Sequence, residues 1–148
     1  MFWLARAHVI IIYFNHICSR YGKLLGLLLM KNKKILIADD DEGIVDAVTM
    51  ILEVMGYEVE YTYDGGTVID AVKNQPDLIL LDIWMSGYDG RDICRQLKSD
   101  PKYMGIPVLM ISASRDIKQS ALDAGANDFM EKPFEMDSLL SKVDFLLN

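Results

Sequence analysis

The chain has 148 residues, enough for one domain with its own core and short of two. Its 51% hydrophobic content is concentrated in residues 1–29, so that from Met30 onward 22 acidic residues face 12 basic ones, a net charge of −10. Charge of that sign repels a phosphate backbone, and direct contact with nucleic acid is not expected.

Residues 1–29 hold Arg6, Arg20 and Lys23, both histidines (His8 and His16), and no Asp or Glu. Their apolar runs, Phe2 to Phe14 and Leu24 to Met30, fall short of the roughly 18–20 clean apolar residues of a membrane span, and no small-residue signal cleavage site follows. Two readings stand: upstream sequence with no part in the fold, or a membrane-associating helix. Met30-Lys31-Asn32-Lys33-Lys34 reads as a basic lead into a buried strand, which divides the chain into an extension, 1–29, and a domain, 30–148. That domain has no imidazole, which removes Ser-His-Asp and Cys-His catalysis and most zinc sites. Cys18 and Cys94 form no C-x-x-C pair and fit a reducing, cytoplasmic compartment.

Ile35-Leu36-Ile37-Ala38 is a continuous apolar run, as expected of a strand covered on both faces. Asp41 is placed to cap a helix in which Ile44, Val48, Ile51, Leu52 and Met55 recur at helical spacing, with Gly56 as its stop. Tyr57 to Tyr63 predicts a second strand, Asp64-Gly65-Gly66 a turn, and Val68 to Lys73 a helix. Leu78 to Leu81 is a third strand ending at Asp82, Met85 to Gly90 a loop, and the next helix runs to about Ser99, closed by Asp100-Pro101. Pro107 to Ile111 is a fourth strand ending at Ser112, followed by a short helix over Ile117 to Ala124. Asn127 to Met130 leads into Lys132-Pro133, and a last helix carries Met136, Leu139, Leu140, Val143, Leu146 and Leu147 inward. Five such units imply an α/β fold, a parallel sheet with helices on both faces.

Ligands in open sheets of this kind bind beyond the carboxyl ends of the strands. Those ends bring Asp39 and Asp40 from the first strand, Asp82 from the third, Ser112 from the fourth and Lys132 from the fifth. Three carboxylates repel one another unless a cation is present, and an all-oxygen set points to Mg²⁺. Such an ion offsets the charge of an incoming phosphoryl donor, leaving one carboxylate as nucleophile. The inventory suits phosphoryl transfer, which is mainly positioning and charge compensation.

The same residues resemble the receiver domains of two-component response regulators over 33–147. Ile35 to Asp40 is similar to the family's strand and acidic pair, and Leu78 to Asp82 with Tyr88-Asp89-Gly90 to its phosphorylation strand and loop. Ile111-Ser112-Ala113 matches the switch hydroxyl, and Lys132-Pro133-Phe134 the lysine motif. The resemblance implies a flavodoxin-like doubly wound five-stranded sheet of order 2-1-3-4-5, with Asp82 as phosphoacceptor. It also implies Mg²⁺ held by Asp39, Asp40, Asp82 and the Trp84 carbonyl, Lys132 on the phosphoryl group, a cis Lys132-Pro133 peptide, and Ser112 and Phe129 in switch roles. Trp84 and Ser114 fall where receivers flank the approach of hydrolytic water, and a bulky Trp84 beside a small Ser114 implies slow self-dephosphorylation. Ser86 departs from the family's usual proline, and a slightly looser loop is expected there.

Plainer roles compete. Asp41 and Glu42 suit a helix N-terminus, Ser114 a capping hydroxyl, Asp89 a cap, and Cys94 and Tyr103 the core. The expected function is a switch that takes its phosphoryl group from a sensor histidine kinase or a histidine phosphotransfer protein and catalyses only its own phosphorylation and dephosphorylation. Since the last helix ends with the chain, output is expected through an unknown downstream protein and not through a DNA-binding domain. The rivals are an aspartyl-phosphate phosphatase, whose nucleophile would lie in Asp39-Asp40-Asp41, and a docking-only pseudo-receiver.

Overall fold

The computed structural model describes residues 33–148; the extension 1–29 and both readings of it lie outside the described residues. Five strands, β1 (Lys34–Ala38), β2 (Glu58–Thr62), β3 (Leu78–Asp82), β6 (Val108–Ser112) and β7 (Asp128–Glu131), form a parallel sheet in the order β2-β1-β3-β6-β7. This is the expected doubly wound order. Between β3 and β6, the two-residue strands β4 (Trp84–Met85) and β5 (Tyr88–Asp89) pair antiparallel as a small hairpin.

Alternation along the strands builds two cores. Leu36, Ala38, Ile79, Leu81, Val108, Met110 and Phe129 point to one face. There they meet α2 (Val68–Val72), α3 (Gly90–Ser99) and α4 (Lys118–Asp123) through residues such as Val72, Cys94, Leu97 and Ala121. Ile35, Ile37, Leu78, Leu80, Leu109, Ile111 and Met130 point to the other, against α1 (Glu42–Val54) and α5 (Met136–Leu147) through Val45, Val48, Leu52, Leu139, Leu140 and Val143. A sheet covered on both faces explains why all five residues of β3 and of β6 are buried.

Local chemistry fixes the boundaries. The Asp41 carboxylate accepts from the Ile44 amide at 3.1 Å and caps α1, and Asp89 accepts from the Arg91 amide at 2.9 Å and caps α3. After α1 the chain turns at Gly56, whose φ of +93° is open to glycine. Three expectations shift. A 3-10 turn, Arg115–Ile117, precedes α4 and takes Ile117 from its α-helical part, while α2 begins at Val68 as expected, after a 3-10 turn over Gly65–Thr67. Ser114 makes no side-chain cap bond; its amide instead donates to the Ser112 hydroxyl at 3.3 Å, an oxygen two residues upstream that closes the turn first. Finally, Met85 to Gly90 is not a simple loop. Ser86 and Gly87 take φ of +33° and +89°, positive values at both turn positions, and a two-residue turn of that hand matches strand twist and closes the β4–β5 hairpin.

Candidate functional site

From β1 the chain passes out to β2 and back across to β3, so β1 and β3 are neighbours at a reversal of strand order. The crevice outside their carboxyl ends is where this topology receives ligands. Asp39 and Asp40 follow β1 and Asp82 ends β3; each offers a carboxylate oxygen, and the three oxygens lie within 4.8 Å of one another. Asp39 and Asp82 are 3% and 6% exposed, whereas Asp40 is open to solvent. Lys132, just past β7, places its Nζ 2.6 Å from Asp39 Oδ2 and 3.4 Å from Asp82 Oδ1. The Lys132-Pro133 peptide is cis, and the Lys132 amide donates to the Ser112 carbonyl at 2.8 Å.

One ammonium does not balance three carboxylates. Burial and the neighbouring Asp39 charge push the Asp82 carboxyl up to about 6, even with Lys132 pulling the other way. Burial alone would lower the Lys132 ammonium, yet the carboxylates of Asp39 and Asp82 outweigh it and hold the group above the ordinary lysine value. An all-oxygen cluster with residual negative charge fits a hard divalent cation such as Mg²⁺.

Ser112 is fully buried, and its hydroxyl oxygen accepts the Ser114 amide, a bond that leaves the hydroxyl hydrogen to point elsewhere. Phe129 is 7% exposed and packs in the core shared with α3 and α4. Trp84 is 55% exposed, and its indole lies under the Arg91 guanidinium, 5.0 Å from the ring centre. Arg91 is itself held by both Asp89 oxygens and donates to the Ser120 hydroxyl on α4 at 3.0 Å. Sequence reading missed Arg91, and it missed Gly90 as a packing requirement. A Cβ at Gly90 would lie 2.3 Å from the Asp82 carbonyl oxygen. The Asp-Gly pair at 89–90 was the available signal. It also misjudged Ser86: the expected looser loop is a closed hairpin whose Ser86 amide and hydroxyl both donate to Asp40 Oδ2, at 3.0 and 2.9 Å.

Residues 35–144 match the family model for the response regulator receiver domain. The chain belongs to that family. Over 118 residues the receiver is 42% identical to the DNA-binding dual master transcriptional regulator RpaA of Synechocystis sp., covering 77% of this chain and 48% of that protein. It is 36% identical over 117 residues to the response regulator MprA of Mycobacterium sp. strain KMS, covering 77% and 50%. Its fold matches the crystal structure of the receiver domain of NtrX from Brucella abortus with a TM-score of 0.70 at 36% identity, covering 76% of this chain and 97% of that one.

The receiver thus spans about half the length of the curated relatives it matches. This corrects the expectation that the protein makes no direct contact with nucleic acid and has no DNA-binding output, since a relative of the family is named for DNA binding. The net charge of −10 belongs to the receiver's own surface and does not report on what a receiver regulates. Among the described residues no helix is long and apolar enough to cross a membrane.

Proposed function

We propose that this receiver is a cytoplasmic phosphoacceptor switch, with Asp82 accepting a phosphoryl group from a histidine kinase or a histidine phosphotransfer protein. The observation that supports it is the convergence of Asp39, Asp40 and Asp82 on one crevice with Lys132 Nζ 2.6 and 3.4 Å from two of them. Asp39, Asp40, Asp82 and the Trp84 carbonyl would hold Mg²⁺, which when bound supplies positive charge against the phosphoryl oxygens. An Asp82 oxygen attacks phosphorus, the bond to the donor imidazole nitrogen breaks, and the imidazole leaves with the electron pair. The Lys132 ammonium, already beside Asp82, is placed to meet one phosphoryl oxygen, and the Ser112 hydroxyl hydrogen another. Ordering Ser112 around the phosphoryl group, with Phe129 packed between β7 and the α3–α4 face, biases α4, β7 and α5 between two arrangements. The output is regulatory, in line with relatives named as transcriptional and response regulators.

Incubation with acetyl phosphate and Mg²⁺, followed by intact-mass measurement, tests the reading. One added phosphoryl group is expected on the wild-type protein and none on Asp82→Asn. Label that persists at Asp39 or Asp40 in the variant points to a phosphatase-type nucleophile. A wild-type protein that takes no label is a docking module.

A further inference from the structure

The three carboxylates of the cluster are not held alike. Asp39 and Asp82 are buried and lie beside Lys132, and Asp39 Oδ1 also accepts the Asp41 amide at 2.9 Å. Asp40 is exposed and is reached from across the crevice by Ser86, whose amide and hydroxyl donate to the same oxygen, Oδ2, at 3.0 and 2.9 Å. An exposed aspartate at a strand end otherwise samples several rotamers, and fixing one of them has an entropic cost. Two donors converging on one oxygen meet that cost before any ion arrives.

The backbone of the turn makes this possible. With φ of +33° at Ser86 and +89° at Gly87, the hairpin folds back so that the amide and the side chain of one residue face the same carboxylate. Proline, which receivers usually have at this position, has no amide hydrogen and a φ fixed near −65°, and could supply neither bond. Both bonds fall on Oδ2, so the other oxygen of Asp40 remains uncommitted by them. Outer groups that orient a metal-holding carboxylate in this way typically matter ten- to a hundredfold in affinity.

We infer that Ser86 is a positioning residue for Asp40, clamping one carboxylate oxygen so that the cluster is set for a divalent cation and the β4–β5 hairpin is fastened to the same ligand. The inference rests on the reading of Asp40 as a metal-holding residue. Isothermal calorimetry of the full chain with Mg²⁺ alone, beside urea unfolding of the metal-free protein, tests it. Ser86→Gly keeps the amide and accommodates the positive φ but lacks the hydroxyl. Ser86→Asn tolerates the same φ and restores a side-chain donor. The expected result is a dissociation constant raised roughly tenfold in Ser86→Gly, largely recovered in Ser86→Asn, with little change in the metal-free urea midpoint.

Equal affinity in wild type and Ser86→Gly overturns the inference. So does tighter binding in Ser86→Gly, which would make Ser86 a competitor for the oxygen, or equal weakening in both variants, which would deny the hydroxyl its part. A fall in the metal-free urea midpoint with unchanged affinity assigns Ser86 to loop stability alone, and also overturns it. If the wild-type protein binds no Mg²⁺, the reading of the cluster falls first, and that result is distinct because it precedes any variant.

Discussion

Replacing Asp82 by Asn removes a charge that the metal-free fold holds at a cost. Burial and the Asp39 carboxylate raise the Asp82 carboxyl from 3.8 to about 6, so the folded protein binds that proton more tightly than the unfolded chain does. The stability this group contributes is fully present below about 4 and is lost as pH rises through about 6. The whole gap corresponds to about 3 kcal/mol, which for a chain of this size is roughly 10 °C in melting temperature. The side chain is 7% exposed, so solvent screening removes little of it. Asp82→Asn is near-isosteric and leaves the Lys132–Asp39 pair at 2.6 Å in place. In chelator at pH 8 the variant is therefore expected to be the more stable protein by up to about 3 kcal/mol, and near pH 4 the two should coincide. Mg²⁺ should narrow the gap at pH 8 by stabilising the wild type alone. Urea unfolding at both pH values, with and without Mg²⁺, measures all four corners. A variant no more stable than wild type at pH 8 in chelator would refute the account of an uncompensated carboxylate cluster.

Other substitutions probe the surroundings of the crevice. Gly90→Ala puts a Cβ 2.3 Å from the Asp82 carbonyl oxygen; the overpacking should destabilise the fold by about 1–3 kcal/mol and reduce acetyl phosphate labelling, and a wild-type melt would show that the contact relaxes freely. Trp84→Asn should speed loss of the phosphoryl group several-fold by opening the rim and adding an amide that can orient water; an unchanged or slower release of phosphate would assign the indole, stacked on Arg91 at 5.0 Å, to the hairpin alone. Removing residues 1–29 should leave a phosphorylatable domain with an unaltered urea midpoint, because the described cores close around Ile35 and the residues after it; aggregation of the shortened chain would count the extension as part of the fold.

Much of the crevice could be read in advance because buried parallel strands announce themselves. Ile35 to Ala38, Leu78 to Leu81 and Pro107 to Ile111 are apolar runs too short for helices, and whatever polar residue ends each run must lie at one edge of the sheet. That logic brought Asp39, Asp82 and Ser112 together before any contact was known. It had no purchase on β4 and β5, because two-residue strands have no period and their pairing depends on positive φ at Ser86 and Gly87. Ser86 looked like a missing proline, and what replaced the ring was a pair of hydrogen bonds that only the folded distance to Asp40 reveals. Ser114 has the residue type of a cap, yet its hydroxyl makes no capping bond and its amide donates to the Ser112 hydroxyl two positions earlier. Arg91 carries no sequence signal of its own, because its place between Trp84 and Ser120 is set only by the fold.

The thiol of Cys94 sits on α3 against the sheet with none of its surface exposed, and burial raises its pKa above the ordinary thiol value. A labelling reagent needs the thiolate in the open, so the folded protein offers it almost nothing. The rate at which Cys94 reacts, divided by the rate for a fully open thiol, is then a clock for the parting of α3 from the sheet and gives the free energy of that opening. Followed with and without phosphoryl group on Asp82, peptide by peptide, that clock would report how far a charge placed at the strand end tightens the layer behind it.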